Sequence, residues 1–164
     1  MTETDHEGGD PACWGHLHDT EIEAPSDTTL AELMRNLADA VIVCDADGRI
    51  TFWNSAATRI FGWNEDQALG ESLDIIIPER LRKRHWDGYY GTMRTGLTSY
   101  GDRLLEVPAL NSKGETFSIA FTVSLLRIEG SDRLAGIAAV IRDDTARRAE
   151  LKELRAAARG ATQA

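Results

Sequence analysis

Apolar positions along residues 30–142 recur in two rhythms, one helical and one alternating, and their order predicts an α+β domain. Leu30, Leu33, Met34 and Leu37 fall at helical spacing behind Thr29-x-x-Glu32, which reads as a capping box, so an amphipathic helix is expected over 28–39. Ala40-Val41-Ile42-Val43-Cys44-Asp45 is a short apolar run of the kind a buried strand shows. Asp47-Gly48 is a hairpin turn signal, and Arg49 to Trp53 reads as the second strand. Asn54 is placed to cap a short helix that starts at Ser55 and ends near Phe61-Gly62. Ala68-Leu69-Gly70 closes another turn of helix, and Ile75-Ile76-Ile77 runs into Pro78. Proline is tolerated in the first turn of a helix, so a longer helix is expected over 79–94, with Gly96 as its C-terminal cap.

Three strands should follow, over 101–110, 116–128 and 133–142, joined by turns at 112–115 and 129–132. Strands so joined pair antiparallel. In the middle one, Ile119, Phe121, Val123 and Leu125 alternate with Ala120, Thr122 and Ser124, which buries one face. A charged helix over 146–159 closes the pattern, with Leu151 and Leu154 as its few large apolar residues.

Composition narrows the class. A chain of 164 residues has room for one domain with a core, plus tails. Its net charge of −9 argues against a nucleic-acid surface, and no apolar stretch is long enough to span a bilayer. The acidic start Met1-Thr2-Glu3-Thr4-Asp5 is no secretory signal, and Cys13 and Cys44 make no disulfide framework, so a cytoplasmic location is expected. Residues 1–27 lack Lys and Arg and read as a flexible acidic tail. Within it Cys13-x-x-His16-x-His18 has zinc-type donors at a spacing that matches no standard structural zinc pattern.

Chemistry concentrates in the longer helix. Leu81, His85, Tyr89 and Met93 fall four apart, so they form one stripe, while Arg82, Lys83 and Arg84 cover other faces. His85 therefore lies on the apolar side, where a neutral imidazole is a good ligand for iron. The plainer reading is a half-buried histidine hydrogen-bonded to a neighbour. Trp86 is expected on a different face, packing as Trp53 and Trp63 do, and Gly88 leaves room beside the helix. No serine or cysteine nucleophile with a paired base and no glycine-rich phosphate loop is present, so no enzyme is expected.

The order of elements resembles the PAS domain, and local motifs carry the resemblance. They are Ala40-x-Ile42-Val43-x-Asp45-x-x-Gly48-x-Ile50, Asn54-x-Ala56-Ala57-x-x-x-Phe61-Gly62, Ser112-Lys113-Gly114-Glu115-Thr116-Phe117 and Arg142-Asp143-Asp144-Thr145. The resemblance covers about residues 30–150 and implies a five-stranded antiparallel sheet, short helices, one longer ligand-bearing helix and flanking helices at both ends. The domain proper would be 40–145, with a C-terminal helix and tail over 146–164.

Within PAS domains, Ile77-Pro78-Glu79-x-x-Arg82-x-x-His85-x-x-x-Tyr89 resembles the heme-binding oxygen sensors of the FixL and direct-oxygen-sensor types. That resemblance implies heme b with His85 as the iron ligand and Tyr89 beside it. It implies Arg103 at the start of the next strand facing bound oxygen, and an apolar distal wall of Ile119, Phe121 and Val123. Methionine is missing just before Arg103, where Asp102 stands, and Gly91 stands where a propionate-binding base belongs; Arg94 is the substitute at hand. No cysteine lies in an Asn-Cys-Arg-Phe type segment, so a flavin photoadduct is excluded. The expected function is a sensor of oxygen, another diatomic gas or redox state. The alternatives are a heme-free module for a small organic ligand or protein, or a non-covalent flavin sensor. With no kinase or phosphodiesterase segment recognisable, the signal is expected to pass to a partner protein, from a homodimer joined through the flanking helices.

Overall fold

The computed structural model describes residues 24–98 and 100–162, so the Cys13, His16 and His18 motif lies outside the described residues. Its elements run α1 (Asp27–Asn36), β1 (Ala40–Asp45), β2 (Ile50–Trp53), α2 (Ser55–Phe61), α3 (Glu65–Ala68), a 3₁₀ turn (Leu73–Ile75), α4 (Glu79–Thr95), β3 (Leu105–Leu110), β4 (Thr116–Arg127), β5 (Leu134–Asp143) and α5 (Thr145–Thr162). The five strands form one sheet in the order β2-β1-β5-β4-β3, antiparallel at every junction. The first and last strands lie side by side, which brings α1 and α5 back to neighbouring ends of the sheet. No described helix is long and apolar enough to cross a membrane.

Register sets the two faces. Leu105 pairs with Phe121, Phe121 with Ile141, and Ile141 with Ala40. Side chains alternate along each strand, so Ile119, Phe121, Val123 and Leu125 share the inner face with Val107, Ile137, Ala139, Ile42 and Cys44. Ile42, Cys44, Ile119 and Ile141 are buried there with Trp53 and Phe61. Leu105, Val123 and Leu125, at the far end of the same face, are only half-buried and stand outside that core.

Gly136 locks the register by absence of a side chain. A Cβ there would lie 2.0 Å from the Cys44 carbonyl oxygen, inside the adjoining strand's backbone. Backbone cannot step aside as a side chain can, so Gly136→Ala is expected to destabilise the domain by about 3 kcal/mol, measured by urea unfolding.

Three expectations change. The N-cap of α1 is Ser26, whose hydroxyl accepts from the Thr29 amide at 3.2 Å; that amide is thereby used, and the helix starts ahead of Thr29. Arg49 forms only an isolated bridge to Ser72 before β2 begins. Strand β3 begins at Leu105 rather than residue 101, because Gly101 adopts φ +54° and the Arg103 amide closes a turn onto the Tyr100 carbonyl. The first inward position of β3 therefore belongs to Leu105.

Candidate functional site

Helix α4 carries the site. Pro78 sits at its N-cap and Gly96, with φ +67°, ends it in the left-handed conformation that glycine adopts without strain. Lys83 and Asp87 pair at 2.7 Å on the exposed side, while Tyr89 is buried and Leu81, His85 and Met93 are half-buried. Arg82 departs from its basic neighbours. Its guanidinium turns back to donate to the Ile77 and Asp74 carbonyls at 3.1 and 3.0 Å, tying α4 to the 3₁₀ turn.

Two further bonds fix how α4 lies over the sheet. The Tyr89 hydroxyl donates to the Asp45 carbonyl at 2.5 Å, and Arg127 at the end of β4 donates to the Gly96 carbonyl at 3.2 Å. Asp45 and Leu126 both pair with Gly136, so these anchors belong to one end of the sheet. The helix rises about 10 Å between Tyr89 and Gly96, close to the width of two strand spacings. It therefore crosses the end where Val123 and Leu125 are half-covered, held there by side-chain tethers.

His85 precedes Tyr89 by one turn. Its Nδ1 is buried and has no hydrogen-bond partner. Burial holds the imidazolium below its ordinary pKa of 6.5, against an opposing pull from Asp74, so the ring is neutral at pH 7. The Trp86 indole meets it edge to face with centroids 4.8 Å apart, and the Tyr89 ring lies 5.8 Å away. Trp86 and His85, placed on different faces by spacing, are thus in ring contact, and Trp86, packed in part against the core, also lines a groove beside the β1–β2 turn. The Tyr89 phenol is pushed up, first by burial and then by Cys44 and Asp45, and stays protonated. Burial pushes the Cys44 thiol up to about 12, which removes it as a nucleophile or thiolate ligand at neutral pH.

The structure brings Tyr89, Ile119 and Phe121 into one apolar cluster, with Val123 further along the same face. It leaves Arg94 exposed in the last turn of α4 and Arg103 exposed in the turn ahead of β3. Arg103 pairs with neither Asp102 nor Glu106; Glu106 is bonded instead to Arg147. A Cβ on Gly88 would meet nothing within 4 Å, and the position faces solvent. Sequence reading missed Leu105 and Arg127. The alternation through Val107 and Ala109 carries a signal for Leu105, whereas nothing local links Arg127 to Gly96, 31 residues away.

Comparison with known proteins agrees with this geometry. The PAS fold family model matches residues 28–143. The chain is 30% identical over 129 residues to the sensor protein FixL of Bradyrhizobium diazoefficiens, covering 78% of this chain and 25% of that protein. It is 26% identical over 116 residues to the cell-division control histidine kinase PdhS of Brucella ovis, covering 71% and 11%. The chain thus spans a quarter or less of these curated relatives. Among solved structures, a PAS domain from Colwellia psychrerythraea superposes with a TM-score of 0.63 at 19% identity, over 72% of this chain and 96% of that one. With the fold, the matched span and these relatives in agreement, the chain belongs to the PAS family of sensory domains.

Proposed function

We propose that α4 and the half-covered end of the inner face together bind heme b, with His85 as the iron ligand. The domain would then sense oxygen, another diatomic gas or redox state. The observation that carries this reading is the buried, unpartnered Nδ1 of a neutral His85. Leaving such an atom unsatisfied costs about 1–3 kcal/mol, so the site favours a group that takes an imidazole nitrogen. The donor set fits: one uncharged nitrogen, an apolar wall and no competing thiolate. Heme, when bound, supplies a redox-active iron open to a diatomic ligand.

The chain's own residues have separate tasks in this proposal. His85 offers the nitrogen. Ile119, Phe121 and Val123, with Leu105 and Leu125, share one face of the sheet and would cover the porphyrin. Tyr89, its hydroxyl committed to Asp45, fixes the pitch of α4. Arg94 and Arg103 are exposed cations, and their exposure suits carboxylates at a solvent edge better than a gas in an apolar interior. Arg103→Ala is therefore expected to change gas dissociation less than about threefold while weakening retention of heme. Stopped-flow dissociation and heme transfer to a scavenger protein check the two halves.

A change at His85 would bias α4 through the Tyr89 and Arg127 tethers and so shift the population of arrangements that a partner protein reads. The flanking helices leave Leu30, Leu33 and Leu154 exposed, and we assign them to a homodimer contact. The direct test of the proposal is the absorption spectrum of protein produced with ample heme precursor, compared with His85→Ala. A Soret band that the variant loses supports it; a flavin band or colourless protein opposes it.

A further inference from the structure

Helix α4 has an outer side as well. Asp47 and Arg49 of the β1–β2 turn, Ser72 and Asp74 of the 3₁₀ segment, and Trp86 and Tyr90 of α4 line an open groove of about 530 Å³. That size falls within the roughly 300–1,000 Å³ of small-molecule sites. Its aromatic wall is built with care. The Trp86 indole N–H donates to Asp74 at 2.9 Å, and Gly48 is bare where a Cβ would lie 2.2 Å from the indole ring. Tyr90 stacks on Trp86 with centroids 5.5 Å apart and planes 24° from parallel, and its ring remains half exposed.

The polar groups divide into those already used and those free to act. Asp74 is bonded to Trp86 and faces Arg82 at 3.6 Å. Arg49 spends one guanidinium nitrogen on the Gly70 carbonyl and keeps the remainder. Among the described residues, neither the Asp47 carboxylate nor the Tyr90 hydroxyl has a hydrogen-bond partner. The groove therefore presents an aromatic face, a free carboxylate and a partly free guanidinium together. A simple cation would meet Arg49, and a simple anion would meet Asp47 and Asp74. A molecule carrying both charges satisfies all of them, its ammonium on the aromatic face and Asp47, its carboxylate on Arg49.

We propose that this groove is a second ligand site, separate from the inner face, for a small zwitterion bearing an ammonium and a carboxylate. The site does not depend on heme at His85, so either proposal can fail without the other. The two sides share one ring, because Trp86 meets His85 while lining the groove.

The test is a titration of the full ¹⁵N-labelled chain with glycine betaine and with L-proline. It follows the Trp86 indole N–H resonance, assigned through Trp86→Phe. Tetramethylammonium and acetate serve as single-charge probes. The expected result is a saturable Trp86 shift with at least one zwitterion, about tenfold weaker for either single-charge probe. Asp47→Asn and Tyr90→Ala, both at exposed positions, should weaken it by a similar factor. No saturable shift with either zwitterion, equal binding of all four probes, or unchanged binding in both variants would overturn the proposal.

Discussion

Asn54→Ala is expected to lower the stability of the domain by about 3–5 kcal/mol, read as a fall in the urea midpoint at unchanged slope. The side chain is 2% exposed and uses every hydrogen-bonding site it has. Its Oδ1 accepts from the Val41 amide at 3.0 Å and from the Ala57 amide at 2.9 Å, so it joins β1 to the first turn of α2. Its Nδ2 donates to the Met34 carbonyl at 3.1 Å and the Asp39 carbonyl at 3.0 Å, which fastens the end of α1 and its exit. Alanine strands two amides and two carbonyls in a place that water reaches poorly. Asn54→Ser restores only the α2 cap and should recover about 1 kcal/mol of the loss. A loss below about 1 kcal/mol for alanine would mean that the contacts between α1 and the domain are not made in solution.

The elements that were legible in the sequence are those whose signals are local. Asn54 and Gly62 bracket α2 by a side-chain cap and a left-handed end, while Pro78, with no side-chain cap, and left-handed Gly96 bracket α4. The alternation from Ile119 to Leu125 set the inner face of β4, and the register agrees with it. The four-residue spacing placed His85 with Tyr89 on the covered side of α4. What the sequence could not carry was anything decided between distant segments. The start of β3 depends on the turn at Gly101, so a strand counted from 101 included Arg103, which lies instead in the turn two residues ahead of Leu105. Arg82 looked like part of a solvated basic run, but its guanidinium turns back onto the Ile77 and Asp74 carbonyls at the end of the 3₁₀ turn, a contact that spacing along α4 does not reveal. The contact between His85 and Trp86 arises because the side chains lean toward each other around the helix, which spacing alone does not reveal.

In the proposed function, the buried, unpartnered Nδ1 of the neutral His85 marks the ring that would take iron. Loss of an outer partner of a metal-binding histidine costs on the order of 10–100-fold in affinity, and loss of the ligand itself should cost more. Alanine is a good helix former, and the position is only half-buried, so the variant should fold with α4 intact. The deciding measurement is the absorption spectrum of wild-type protein and His85→Ala, both supplied with heme and both shown to be folded by circular dichroism. The expected result is a Soret band in the wild type that falls by at least an order of magnitude in the variant. An identical Soret band in the two proteins, or a folded wild type that stays colourless with heme in excess, would contradict it.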